Sequence, residues 1–335
     1  MSAPVVAVAL TPQVRTLFFD ADAWAALRRL GEVRLPGEDD VGDETALARL
    51  LADADVVVTG WGTAPLTARV LAAAPRLRLL AHTGASVKPF VTPASFARGV
   101  RVTQAGDAMA YAVGEQALAL TLALLHRLHR FDHALRTGVD WATAKAAPPR
   151  RELRGATVGV VGASRTGRAY IGLVRALGAR VLVVDPYLCD ADAAALGVER
   201  VGLDDLLTRS LVVSLHAPVL PETTRMISAR ELALMPAGAL LVNTARAALV
   251  DEAALLAELR TGRLDAALDV FDAEPLPVDH PIRALPNVLV TPHESAGTVQ
   301  SRRRAAAIVC DEVDRFLRGE PLRHEVTVDL LDTTG

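Results

Sequence analysis

The sequence predicts an α/β protein made of two doubly wound domains, each a parallel sheet with helices on both faces. Three observations carry this. Short β-branched runs alternate with alanine- and leucine-rich segments of helical period, the rhythm of successive βαβ units. The 335 residues are a two-domain length, and 51% of them are hydrophobic, enough for two cores. Near the middle, GVVGASRTGRA (159–169) joins an apolar strand to a helix-like segment through a glycine turn.

In the first part, strands are predicted at VVAVAL (5–10), DVVVT (55–59), LRLLA (77–81) and VRVT (100–103), separated by helical segments such as LTARVLAAA (66–74). A long helix is predicted over 112–136, apolar nearly all round, with His126, Arg127, His129 and Arg130 towards its end. A helix of that kind is buried against another domain or another subunit. AAPPRRELRG (146–155), with adjacent prolines and clustered charge, reads as a connector. Six strands follow at TVGVV (157–161), RVLVVD (180–185), LVVSLH (211–216), GALLVNT (238–244), DAALDV (265–270) and NVLVT (287–291). With helices between most of them, they fit a doubly wound nucleotide-binding domain. A last helix over roughly 297–318 leads into a β-like tail, EVTVDLL (325–331), expected to return to the first domain.

Composition narrows the function. Formal net charge is −3 with the signs mixed along the chain, so neither a basic stripe for nucleic acid nor a polybasic membrane patch is present. Cys189 and Cys310 are too few for a disulfide framework, and no spacing suggests a metal site. MSAPVVAVAL lacks the regions of a signal peptide, and ALALTLALL (117–125) falls short of the ~20 residues a membrane span needs. The expected partner is a small molecule, with no nucleic acid and no membrane, and the expected address is a reducing cytoplasm.

A dinucleotide turn, G-x-G-x-x-G, presents helix N–H groups and the positive end of the helix dipole to a pyrophosphate. Gly162 and Gly167 meet the first and third glycine positions, with Arg165 and Thr166 between them, while Ser164 replaces the second glycine. A negative φ would accommodate the Ser164 Cβ, and its hydroxyl would be free to donate to phosphate. About 20 residues on, RVLVVD ends in Asp185, a carboxylate placed to accept from ribose hydroxyls. It would repel a 2′-phosphate, and Pro186 and Tyr187 add no positive charge, so NAD(H) is favoured over NADP(H). Alone, Asp185 also reads as a solvated strand-end acid, and the turn as a plain tight turn.

The stretch from 151 to 297 resembles the D-isomer-specific 2-hydroxyacid dehydrogenase family. ELRGATVGVVG, VVSLHAPVLPETTRMI, LVNTARAALVDEAALLAELRTGRLDAALDVFDAEPLP and VLVTPHESAGT match successive family blocks in order. The resemblance implies a Rossmann NAD-binding domain (109–297) inserted into a flavodoxin-like substrate domain (1–108 and 298–335). It implies that Arg246 holds the substrate carboxylate, that His293 is the acid–base residue, and that Glu274 hydrogen-bonds His293 and favours its protonated form. Thr244 and Ala245 would line the nicotinamide, Asp269 would accept from its carboxamide, His216 and Pro218 would pass near the cofactor, and Ser295 and Ala296 would follow the catalytic histidine. The implied reaction is hydride transfer between NAD(H) and a 2-hydroxy or 2-keto acid, in a homodimer built through the cofactor domain and the 112–136 helix.

The first hundred residues match the family less well. Where a glycine-rich loop would bind the substrate carboxylate, the chain reads AHTGASVKPF, so Gly84, Ala85 and Ser86 are the substrate-loop candidates, with Lys88 where an acid or amide is common. Trp61, in TGWGT, either walls the pocket or packs in a core, and Ala247 replaces the glycine that follows the family's arginine. Two rival readings share the scaffold. Formate and phosphite dehydrogenases do, but the formate-oxidising relatives carry Gln where this chain has Glu274. NADH-sensing corepressors also do, and a partner-binding extension would favour that reading.

Overall fold

The computed structural model describes residues 3–37, 41–146 and 149–331. Within them the chain forms two compact units, residues 1–109 with 296–335, and residues 110–295. Of the 146–155 connector, residues 147 and 148 lie outside the described residues.

The first unit holds five strands: β1 (Val5–Ala9), β2 (Glu32–Arg34), β3 (Val56–Thr59), β4 (Leu79–His82) and β5 (Arg101–Gln104). All pair in parallel, in the order β2-β1-β3-β4-β5, the flavodoxin-like arrangement. β1, β3 and β4 are buried at every position because apolar residues cover both faces of the sheet. Leu47, Leu51 and Val70 pack on one face, and Phe18, Leu27, Ala305 and Val309 on the other. A strand enclosed in this way needs a continuous apolar run, which is why VVAVA and VVVT are legible in the sequence.

The second unit holds seven strands: β6 (Thr157–Val161), β7 (Arg180–Val184), β8 (Glu199–Arg200), β9 (Val212–Leu215), β10 (Leu240–Asn243), β11 (Asp265–Leu268) and β12 (Val288–Val290). Their order, β8-β7-β6-β9-β10-β11-β12, is all parallel and doubly wound, with direction reversing between β6 and β9. Ligands of such sheets bind beyond the carboxyl ends of the strands at that reversal.

Three sequence expectations are corrected. The helix expected over 112–136 is two helices, Asp107–Leu125 and Leu128–Arg136, broken at Arg127, whose φ is +54°. The break lets Arg127 and Arg130 both pair with the buried Asp265 carboxylate at the start of β11. The tail expected as strand over 325–331 makes a single antiparallel bridge, Thr103 to Glu325, and then turns into the short helix Val328–Leu331. There Arg101 holds Glu325 through two hydrogen bonds of 2.7 and 2.6 Å, and Val326 packs into the core of the first unit. The second sheet has seven strands, not six, because the polar, exposed Glu199–Arg200 adds an edge.

Asp107–Leu125 is by length and composition apolar enough to cross a membrane, but 56% of its most apolar window is buried inside the protein. Thr121 on this helix hydrogen-bonds the fully buried Tyr170 hydroxyl at 2.8 Å, as a core helix does.

Candidate active site

The glycine turn joins β6 to the helix Arg165–Ala176 at the carboxyl edge of the second sheet. Gly162 has φ +95°, and a Cβ there would come within 2.7 Å of the Ala217 nitrogen. A Cβ on Gly167 would come within 2.1 Å of the Gly162 carbonyl oxygen. Neither position admits a side chain, so the turn keeps bare backbone under the space beyond β6 and β9.

Ser164 has φ −61°, which accommodates its Cβ, and it is the N-cap of that helix. Its Oγ accepts from the Gly167 N–H and donates to the His216 carbonyl at 2.8 Å. The hydroxyl hydrogen expected for phosphate is thus committed to the β9 loop: Ser164 braces the turn against that loop. Thr166 Oγ1 lies 3.0 Å from Ser164 Oγ, and Arg165 is exposed at the first helical position. Asp185 sits just past β7, its two oxygens accepting from the Ala163 and Tyr187 N–H groups at 2.7 and 2.8 Å. One bond per oxygen leaves acceptor capacity on both.

His216 follows β9, is 3% exposed, and stacks on Tyr170 with ring centroids 5.1 Å apart. Its Nε2 bonds Ser214 Oγ at 2.9 Å, while Nδ1 is buried without a partner. Burial pushes the imidazole down to about 3, so it is neutral in the folded protein. The unfolded chain takes up this proton near pH 6.5 and the folded chain only near pH 3, so stability falls as pH drops through that window. Between pH 6.5 and 5 the loss is about 2 kcal/mol from this group. Urea unfolding of the parent and of His216→Asn at pH 7 and 5 checks this: the variant should lose less stability between the two. Pro218, half-buried, continues the same loop.

Arg246, Glu274 and His293 follow β10, β11 and β12, three neighbouring strands of one sheet, on its carboxyl side. His293 Nδ1 and Glu274 Oε2 are 2.6 Å apart, and Glu274 Oε1 accepts from the Phe271 N–H at 3.0 Å. The carboxylate therefore fixes the imidazole orientation while being fixed itself, and Nε2 is left facing away from it. The His293 side chain is 47% exposed, and its backbone is left-handed at φ +53°. A non-glycine residue held there costs on the order of 1–2 kcal/mol, strain of the kind stored at functional positions.

The strain is sustained by Asp269. Its fully buried carboxylate accepts from the Thr291 hydroxyl, the Glu294 N–H at 3.1 Å, and both the N–H and hydroxyl of Ser295. Four donors fill the four acceptor sites of a carboxylate. Asp269 therefore grips the turn that presents His293.

Arg246 is half-buried, with Nη1 donating to the Ala245 carbonyl at 2.7 Å. Burial lowers its pKa and the Glu274 carboxylate opposes that. Sequence reasoning did not single out Asn243, which shapes this loop. Its side chain accepts from the Ala245 N–H at 3.0 Å and donates to the Arg246 carbonyl at 2.9 Å. An asparagine at a strand end three residues before Arg246 was the available signal. Thr244 Oγ1, like His216 Nδ1, is buried and unpartnered. Among the described residues no cluster of His, Cys, Asp and Glu could hold a metal ion.

In the first unit, Trp61 follows β3 and Gly84, Ala85 and Ser86 follow β4, again at carboxyl ends. Trp61 is 46% exposed and meets the buried Phe18 edge-on, with centroids 5.6 Å apart. Gly84 is buried against the His82 ring, and its carbonyl accepts from the Ala105 N–H at 2.8 Å. Ala85 and Ser86 are half-buried, and Lys88 is exposed. Ala296 belongs to this unit, whereas Ser295 closes the other.

An all-parallel doubly wound sheet carries Arg246, Glu274 and His293 along one carboxyl edge, and comparison with known proteins places this arrangement in a family. Residues 118–295 match the family described as D-isomer specific 2-hydroxyacid dehydrogenase, NAD binding domain. The chain belongs to that family. It is 39% identical to D-3-phosphoglycerate dehydrogenase of Mycobacterium leprae over 87% of this chain and 54% of that protein. It is 35% identical to glyoxylate reductase of Aeropyrum pernix over 75% of this chain and 76% of that protein. Holo D-mandelate dehydrogenase of Rhodotorula graminis superposes with a TM-score of 0.87 at 26% identity, covering 97% and 98% of the two chains. The chain spans little more than half the length of the phosphoglycerate dehydrogenases it matches.

Proposed function

We propose that this chain is an NAD(H)-dependent dehydrogenase that interconverts 2-keto acids and D-2-hydroxy acids. The observation that carries the reading is the 2.6 Å Glu274–His293 pair on the sheet edge that also presents Arg246. The chain fits the cofactor: two positions of the turn admit no Cβ, and Thr244 Oγ1 and His216 Nδ1 are polar, buried and unpartnered. When bound, nicotinamide supplies or accepts the hydride. Arg246 binds the substrate carboxylate and orients the carbonyl. His293 Nε2 gives a proton to the carbonyl oxygen in reduction and takes it back in oxidation, with Glu274 stabilising the imidazolium. The test is NADH oxidation across a panel of 2-keto acids. Binding of NADH without turnover of any member would remove the reading.

Asp185 supports a preference for NAD(H), since a carboxylate repels a 2′-phosphate. Asp185→Ala should weaken NADH binding and narrow the ratio of NADPH to NADH dissociation constants by about tenfold or more, an effect of the size of one charge-assisted hydrogen bond. An unchanged ratio would show that Asp185 does not read the ribose.

A homodimer through the 111–141 segment is the assembly this surface supports: Tyr111, Leu128, Leu135 and Trp141 are large apolar side chains at 55, 56, 47 and 70% exposure. Light scattering should give twice the 35.4 kDa chain mass, and a single-chain mass would count against it. Cys189 and Cys310 are both free thiols, which suits a reducing cytoplasm.

A further inference from the structure

We propose that this chain binds an organic phosphate monoester in a groove at the amino edge of its second sheet, apart from the catalytic residues. The proposal goes beyond the dehydrogenase reading and does not depend on it. The sheet ends in β8, whose two residues pair only with Leu182 and Val183. Arg180 and Val181, at the start of β7, therefore have no strand beside them on that side. The gap is a groove of about 690 Å³, and its lining includes Thr157, Arg175, Arg180, Leu182, Glu199 and Arg209. That volume is within the ~300–1,000 Å³ of small-molecule sites. All these residues belong to the unit 110–295, and Thr157, Arg180 and Glu199 begin β6, β7 and β8. Arg246, Glu274 and His293 follow the opposite ends of β10, β11 and β12.

The charges in the groove do not balance. Arg209 is spent on acids: it meets Glu199 through two hydrogen bonds of 2.9 and 3.0 Å, and Asp205 through one of 2.7 Å. Glu199 is the only acid of the lining among the described residues, and Arg209 already occupies it. Arg175 donates to the neutral Leu196 carbonyl at 2.5 Å and pairs with no acid among the described residues. The Arg180 side chain has no partner among them at all. Two guanidinium charges are thus uncompensated on one concave surface, which focuses a positive potential there. A phosphate monoester brings about −1.5 to −2 of charge near pH 7 and three acceptor oxygens, matching the groove in charge and in donors. Arg175 is already in place for it. Its guanidinium lies over Gly197, where φ is +62° and a Cβ would come within 2.2 Å of Nη2. Bare backbone at 197 makes room for the group, and its single bond to Leu196 leaves most of its N–H donors for a ligand. Val181 and Leu182 are buried beneath and give the organic part an apolar floor. Arg175, Arg180, Glu199 and Arg209 are exposed, so a ligand reaches them without rearrangement.

The test is calorimetric titration of the full protein at low ionic strength with inorganic phosphate, ribose 5-phosphate and AMP. Saturating NADH is present throughout, so that AMP does not report the cofactor site. Ribose 5-phosphate or AMP should bind at one site, about tenfold or more tightly than inorganic phosphate; the tighter of the two separates a sugar phosphate from a nucleotide. Arg180→Ser should weaken that binding about tenfold or more, and since Arg180 is exposed and unpaired the variant keeps the fold. Arg175→Ser should weaken it similarly, while Glu199→Gln, which removes the acid of the groove, should tighten it severalfold. Arg260→Ser removes an equal charge from another exposed arginine, outside the groove, and should leave affinity within about twofold. Binding of none of the three, equal binding of inorganic phosphate, parent-like affinity in Arg180→Ser, weaker binding in Glu199→Gln, or the same loss in Arg260→Ser would each overturn the proposal. None of these outcomes bears on turnover of keto acids, so the groove and the dehydrogenase reading are tested separately.

Discussion

His293→Ala should lower kcat for keto-acid reduction by about 10²–10⁴-fold while NADH affinity stays within a few-fold of the parent. The size follows from the role: a positioned acid that protonates the carbonyl oxygen acts in the transition state, so its removal appears in kcat and in kcat/KM together. The selectivity follows from the geometry. His293 bonds Glu274 and sits on a turn held by Asp269, while the glycine turn is braced by Ser164 and His216, a separate set of contacts. Alanine keeps the Cβ that makes φ +53° costly, so the substitution removes the imidazole without relieving the left-handed strain. Single-turnover kinetics with prebound NADH checks the chemical step itself. Parent-like turnover would remove His293 from the mechanism.

Arg246→Gln should lower kcat/KM by about 10²–10³-fold, the loss of paired charge-assisted hydrogen bonds to a carboxylate in a partly desolvated site. Arg246→Lys should recover only part of this, because an ammonium cannot present two parallel donors to both carboxylate oxygens. Steady-state kinetics with the best acid of the panel measures both. A loop-holding role predicts otherwise. Nη1 donates to Ala245 next to the buried Thr244, so a structural arginine would show its loss in NADH affinity and melting temperature.

Much of this was legible in the sequence, for reasons that also mark the limits. Strands covered on both faces, such as Val56–Thr59 and Leu240–Asn243, must be apolar throughout and so announce themselves. Glu32–Arg34 and Glu199–Arg200 are short polar edge strands, and edges are kept polar to discourage further pairing, so nothing in their composition marks them as strand. The break at Arg127 depends on a carboxylate 138 residues away, and no local pattern contains that pairing. The order of Arg246, Glu274 and His293 was readable, and each lies beyond its strand. What their neighbours do was not. Ser164 spends its hydroxyl on the His216 carbonyl and Asp269 spends its oxygens on the His293 turn, because each side chain takes whichever partner the fold brings nearest.

The central claim is hydride transfer between nicotinamide and the C2 carbon of a keto acid, and isotope transfer tests it most directly. Protein supplied with NADH deuterated at C4 of the transferring face and the best keto acid of the panel should yield a D-2-hydroxy acid carrying one deuterium at C2. NADH consumed without deuterium at C2, or an L-configured product, would contradict the account.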